Sequence, residues 1–288
     1  MMKIINHSEV LIKEIADLKK IKINFIPTMG NLHKGHESLI LKAKESGFYN
    51  IVSVFVNPLQ FNDENDYIRY PRTKENDLKI LKKLKVNLIF FPEKNFITEK
   101  FFPGKIQFLS KLCGIDRPGH FEGVASVIFR FLNLLKPDFI YLGEKDYQQI
   151  LVIKSLIKNL EFKTKVVEIP TVRESNGLDL SSRNKLISIK KKKITEEIFK
   201  ALKNISNEIN NQGLKKSRLL YFKRRLLKLG FDKVNYFKIL NSDDLNEISS
   251  ESCRARIFIS IELDSIRLID NLVITRKVRM IDKKYISS

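Results

Sequence analysis

The sequence predicts an α/β fold, a parallel sheet with helices on both faces, followed by a smaller α+β carboxy-terminal domain. Apolar runs rich in β-branched and aromatic residues at 23–26, 51–56, 86–91, 139–142 and 166–169 read as buried strands. Helical patterns separate them, at 37–45, 74–84, 121–135 and 148–160, and that alternation is the pattern of strands joined by crossover helices. After about Gly177 the alternation stops. Two lysine-rich helical stretches follow, at 194–210 and 214–229, and then strand-like runs at 234–240, 255–261 and 266–274. The expected division is therefore 1–176 for the sheet domain and 177–288 for a smaller domain able to close over it as a lid.

At 288 residues the chain can bury a core in each of two domains. Its amino terminus carries charges but no signal-like apolar run, and no stretch approaches the ~20 apolar residues that span a bilayer. The expected setting is the cytoplasm, with no membrane partner. The two cysteines, Cys113 and Cys253, are far apart and give no reason for a disulfide. The formal charge of +20 invites a nucleic-acid reading. The lysines are nevertheless spread along the chain, with one dense run at 190–193, and lysine, isoleucine and asparagine are abundant together, as an AT-rich coding bias produces. Solvated lysine faces account for the charge, and no nucleic-acid partner is expected.

The polar clusters fall at strand ends. In such sheets ligands sit beyond the carboxyl ends of the strands, where strand order reverses. Pro27-Thr28-Met29-Gly30-Asn31-Leu32-His33-Lys34-Gly35-His36 joins the first strand run to a helical one. A helix start attracts phosphate through its unpaired N–H groups and dipole. His33 and His36, three apart, share one face of the first turn, and Gly35 between them leaves room for a nucleotide to approach the backbone. Zinc would need further ligands, and His7, His120, Cys113 and Cys253 form no close set with them. Leu180-Ser181-Ser182-Arg183-Asn184 adds hydroxyls, backbone amides and a guanidinium fork suited to a triphosphate. Together the two segments read as an ATP site.

Three more segments accompany them. In 55–61, Gln60 puts an uncharged amide beside Pro58 at a strand end, able to bond a hydroxyl and a carboxylate at once. In 117–123, Arg117 is a candidate carboxylate binder and His120 a helix-capping residue. In 143–149, Gly143, Lys145 and Asp146 share a loop, which suits phosphate contact by Lys145 and ribose recognition by Asp146.

With Tyr70-Pro71-Arg72-Thr73, Thr171-Val172-Arg173-Glu174 and Arg267-Leu268-Ile269-Asp270-Asn271, these segments stand in one order from about Ile26 to Asn271. In that order the chain closely resembles the pantothenate synthetase (pantoate–β-alanine ligase) family. The resemblance implies the HxGH nucleotidyltransferase type of Rossmann-like domain, shared with class I tRNA synthetases, a carboxy-terminal lid and a homodimer. It implies ATP contacts from Met29, Gly30, Asn31, Leu32, His33, Lys34, Gly35 and His36. Gly143, Glu144, Lys145, Asp146, Val172, Leu180, Ser181, Ser182 and Arg183 complete that set. Gln60 and Gln149 would hold pantoate, and Gln60 would also help place β-alanine. His33, His36 and Lys145 are the expected catalytic groups, with His36 in the proton-donor position. The family commonly has methionine where this chain has Leu180, an apolar exchange of similar volume.

The implied chemistry joins pantoate to β-alanine through a pantoyl adenylate, with pyrophosphate and then AMP leaving. ATP is a substrate, and Mg²⁺ is expected on its phosphate oxygens and water, with no protein ligands assigned. A nucleotidyltransferase that leaves the nucleotide on its product shares the His-x-Gly-His loop and is the nearest rival. A tRNA-charging enzyme would need an anticodon-binding extension that is not evident. A protein that binds nucleic acid by charge alone would have no use for ordered polar loops at strand ends.

Overall fold

The structure is a computed structural model and describes residues 2–18, 20–212, 216–248 and 253–278. The chain divides into two compact units. The first holds residues up to Val172 together with Leu180–Ser182, and the second holds Arg173–Asp179 and residues from Arg183 onward.

The first unit runs β1 (Lys3–Ile5), α1 (Ser8–Ala16), β2 (Ile23–Thr28), α2 (Lys34–Lys44), β3 (Tyr49–Val54), α3 (Glu64–Arg69), α4 (Lys74–Lys83) and β4 (Leu88–Phe90). It continues with α5 (Leu112–Asp116), α6 (His120–Leu135), β5 (Phe139–Gly143), α7 (Tyr147–Asn159) and β6 (Lys165–Ile169). The sheet has the order β1-β4-β3-β2-β5-β6, all parallel. From β2 the chain builds outward through β3 and β4, then crosses back to lay β5 on the other side of β2. Strand order thus reverses between β2 and β5, the place where such sheets receive ligands. Among the described residues β2 pairs with β5 only at Asn24 and Phe25, so the two strands part before their carboxyl ends. Pro27, which has no N–H to give, lies past that ladder.

Alternation along the strands sends side chains to two cores. On one face Phe25 and Phe90 meet Phe131 of α6, and Phe96, from the loop after β4, meets Phe90 and Phe131, with ring centroids 5.0 Å apart for Phe25–Phe131 and 4.8 Å for Phe96–Phe131. Ile26, Val52 and Ile89 pack on the other face with Leu39, Ile40 and Ala43 of α2 and Leu81 of α4. Each such side chain contributes roughly 1.5–3 kcal/mol on burial, so the central strands are the firmest supports available to the loops they carry.

The second unit contains α8 (Ile189–Lys192), α9 (Glu196–Gln212), α10 (Lys216–Lys228), β7 (Lys233–Asn241), β8 (Cys253–Leu263) and β9 (Ile266–Val278). Its three strands are antiparallel in the order β7-β8-β9. Ile198, Leu202, Ile205 and Ile209 of α9 and Phe222 and Leu226 of α10 share one core with Ile257, Ile259 and Ile261 of β8. The helix expected at 214–229 corresponds to α10; Leu214 lies outside the described residues.

Arg173 ties the segment Arg173–Asp179 into this second unit. Its two terminal nitrogens donate to Asp270 at 2.6 and 2.8 Å and also reach the carbonyls of Gly177 and Asn271. Its guanidinium carbon lies 3.9 Å from the Phe199 ring centroid. Burial pushes the Asp270 carboxyl up to about 6, against the pull of Arg173. Two of the ordered sequence segments, around Arg173 and Asp270, thus meet as one ion pair.

The expected fold class is what the structure has. The strands expected at 51–56 and 86–91 pair over Tyr49–Val54 and Leu88–Phe90. Five elements had no sequence expectation: β1, α1, α3, α5 and α8. Among the described residues no helix is long and apolar enough to cross a membrane.

Candidate active site

The β2–α2 loop is built by two consecutive left-handed residues, Gly30 at φ +80° and Asn31 at φ +49°. They turn the chain from the sheet into α2, for which His33 is the N-cap. The His33 Nδ1 accepts from the Gly35 N–H at 3.2 Å, and the His36 Nδ1 accepts from the His33 N–H at 3.3 Å. This is a capping box made of two imidazoles, with ring centroids 4.1 Å apart. A nitrogen that accepts carries no proton, so each neutral ring holds its proton on Nε2. Both rings are therefore fixed as Nε2–H donors.

His36 is kept in that form by its surroundings. Burial first, then the His33 ring and the Lys145 ammonium, hold its imidazole down at about 3. The resemblance places His36 as a proton donor. With its imidazole lowered, a neutral His36 presents its Nε2–H as a hydrogen-bond donor. Gly35 also has a reason different from the expected one. A Cβ there would lie 2.9 Å from the His33 ring, so glycine makes room for the imidazole.

The loops that follow β3 and β5 reach this one. At the end of β3, the Asn57 side chain donates to the Gln60 Oε1 at 3.2 Å, and the Gln60 Nε2 donates to the Met29 Sδ at 2.8 Å. The Gln60 carbonyl accepts from Arg117 at 3.1 Å and from the His120 Nδ1 at 2.7 Å. Arg117, a candidate carboxylate binder, gives one guanidinium donor to this carbonyl. His120, expected as a cap, is the first residue of α6, and Gly119 is the N-cap.

At the end of β5, the Lys145 charge acts on His36, which joins that loop to the histidines. Gly143 has an ordinary φ of −82°, and a Cβ on it would meet nothing within 4 Å, so one side of this loop is open. Glu144 and Lys145 are half-buried and Asp146 is exposed at the start of α7. Gln149, half-buried on the first turn of α7, has an amide without a hydrogen bond among the described residues. Its neighbour Gln148 is buried and bonded to the backbone of Phe108, Lys111 and Cys113.

The returning segment Leu180–Ser182 completes the first unit. Ser182 is buried, its hydroxyl donates to the Asn31 carbonyl at 3.4 Å, and Leu180 lies beside Gly35. The Leu180 N–H donates to the Val172 carbonyl at 3.0 Å. Ser181 is half-buried and Lys34 is exposed. Arg183 begins the next stretch of the second unit, as the N-cap of a short turn.

The sequence profile of the family described as Pantoate-beta-alanine ligase matches residues 3–273. The chain belongs to the pantoate–β-alanine ligase family. This ligase is 40% identical over 279 residues to pantothenate synthetase from Buchnera aphidicola subsp. Acyrthosiphon pisum (strain 5A), covering 94% of this chain and 98% of that one. It is also 40% identical over 263 residues to pantothenate synthetase from Leptospira interrogans, covering 88% and 91%. Its fold is similar to the crystal structure of pantothenate synthetase from Thermus thermophilus, with a TM-score of 0.87, 35% identity, and coverage of 95% and 99%. A second similar structure, with a TM-score of 0.81, 36% identity and coverage of 95% and 98%, is the pantoate–β-alanine ligase from Francisella tularensis complexed with beta-gamma ATP and β-alanine.

The depressed His36 makes a prediction about stability. In the unfolded ligase its imidazole titrates near 6.5, and in the folded one near 3. Between those values the unfolded chain takes up a proton that the folded chain refuses. Stability is therefore complete above pH 6.5 and is lost as pH falls toward 3. Because the ring keeps some solvent access, we expect a loss of about 1–2 kcal/mol at pH 5. Urea melts at pH 7.5 and pH 5 should show that loss in the native chain and a smaller one in His36→Ala. Equal losses in both would contradict the assignment.

Proposed function

We propose that this chain condenses pantoate with β-alanine to give pantothenate, through a pantoyl adenylate. In the first step the pantoate carboxylate attacks the α-phosphorus of ATP and pyrophosphate leaves. In the second the neutral amine of β-alanine attacks the acyl carbon, the C–O bond to the nucleotide breaks, and AMP leaves.

One observation carries this reading. Two imidazoles, locked as neutral Nε2–H donors at a helix start, lie beside the Lys145 ammonium and the segment with Ser182, at the carboxyl ends of β2 and β5. Donors fixed before the reaction stabilise charge that develops on phosphate without having to reorient. In this reading His33, His36, Lys145, Ser181, Ser182 and Arg183 hold the phosphates. Met29 to Leu32, Lys34 and Gly35, with Gly143, Glu144, Asp146, Val172 and Leu180, frame the rest of the nucleotide. Gln60, with its amide oriented by Asn57, and Gln149, with an amide not otherwise engaged, hold pantoate, and Gln60 helps place β-alanine. Their work is positioning. The domain after Arg183 acts as the lid.

ATP enters as its magnesium complex. The ion is carried on phosphate oxygens and water, with no protein ligands assigned. A cytoplasmic homodimer belongs to the same proposal.

The test omits each substrate in turn and follows pyrophosphate, AMP and pantothenate. Pyrophosphate should require ATP and pantoate but not β-alanine in a single turnover, and AMP should require all three. A stable nucleotidyl product formed without AMP would overturn the reading in favour of a nucleotidyltransferase.

A further inference from the structure

The carboxylate of Asp77, on α4, is buried under the β2–α2 loop. The residue is 1% exposed. Its Oδ2 accepts from the Asn31 N–H at 3.0 Å and its Oδ1 from the Leu32 N–H at 2.8 Å. The Thr73 hydroxyl, one turn earlier, donates to Oδ1 at 3.2 Å and to the Asn31 Oδ1 at 3.4 Å. No lysine, arginine or histidine pairs with Asp77 among the described residues. A buried carboxylate without a counter-ion is costly unless several donors compensate it, and here every donor belongs to the loop or to Thr73.

The loop needs this support. Gly30 and Asn31 are both left-handed, a conformation that costs a non-glycine residue energy and persists only where its surroundings hold it. Successive N–H groups in such a turn form a concave anion cradle, and the Asp77 carboxylate fills it from inside the protein. A Cβ on Gly30 would approach Oδ2 to 3.0 Å, so glycine admits the carboxylate as well as the turn. Immediately downstream are His33 and His36, and the Asn31 carbonyl is the acceptor for Ser182.

We propose that Asp77 is a positioning residue for adenylation: by clamping the Asn31 and Leu32 amides it sets where His33, His36 and Ser182 meet the triphosphate. The proposal rests on the function above. Its demand falls on the first half-reaction, because the pyrophosphate grip is no longer needed once the adenylate exists.

The test compares two assays on the full chain. One is pantoate-dependent exchange of label between pyrophosphate and ATP. The other is single-turnover reaction of chemically supplied pantoyl adenylate with β-alanine. In Asp77→Asn the amide group presents a donor to one of the loop amides. We expect exchange to fall about 100-fold while adenylate consumption changes less than about threefold, since misplacement of a reacting group by ~1 Å costs that much. Should Asp77→Asn fail to fold, Thr73→Ala decides. It removes only the supporting hydroxyl and should lower exchange about 5-fold, again sparing the second step. Unchanged exchange, or equal loss in both assays, overturns the role of Asp77. Absence of pantoate-dependent exchange in the unaltered chain overturns the proposed function instead.

Discussion

Lys145→Ala lowers the rate of adenylate formation by about two to three orders of magnitude, the usual effect of removing one preorganised charge-stabilising donor. Lys145 stands on the β5 loop at the point where strand order reverses, and its charge is felt at His36. Negative charge grows on the bridging and leaving phosphate oxygens as pyrophosphate departs. An ammonium already held there by the sheet therefore acts more strongly on the transition state than on bound ATP. The loss should fall on kcat for pyrophosphate exchange and persist at saturating ATP. A second readout is built in. Without the ammonium one of the influences that lower the His36 imidazole is gone, so the acid limb of the rate profile should move to higher pH. Near-normal turnover at saturating ATP would remove Lys145 from the mechanism.

The other large effect is on folding. Arg173→Ala leaves the Asp270 carboxylate 1% exposed and stripped of its counter-charge, and breaking such a pair costs about 3–5 kcal/mol. It also removes the anchor of the Gly177 and Asn271 carbonyls and the packing on Phe199. Lysine at this position should recover little, because a single ammonium cannot reproduce the two-nitrogen contact or the flat stacking. Urea unfolding of the two variants checks this. A shift under about 1 kcal/mol in Arg173→Ala would mean the carboxylate had found water or given up its charge.

The parallel sheet was legible because the central strands are continuous apolar runs separated by helical patterns, whereas its strand order rests on long-range pairing that the sequence does not show. β1 was not legible, since three residues paired with distant β4 carry no periodicity of their own. α3 and α5 are 6 and 5 residues long, too short to show a face. The loops that would hold nucleotide and acid were visible as clusters, but the roles inside them depended on contacts between segments. Asp77 reads in sequence as an ordinary acid in the first turn of a helix, favoured there by the dipole. Only the fold shows that it faces Asn31 and Leu32. Arg117 offers the same fork to a substrate carboxylate or to a backbone carbonyl, and nothing in Arg-Pro-Gly-His distinguishes them. That Gly35 also avoids a collision with the side chain two positions before it is visible only in the fold.

The thread passes from one unit to the other at Val172, goes back at Leu180, and leaves again at Arg183. No single cut separates the halves. A fragment stopping at Val172 would forfeit Ser182 and with it the hydroxyl on the Asn31 carbonyl, and a fragment starting at Arg183 would leave Asp270 without Arg173. Splitting, grafting or swapping the carboxy-terminal half in protein engineering must therefore carry 173–179 with it while leaving 180–182 behind, a demand that linear truncation cannot meet.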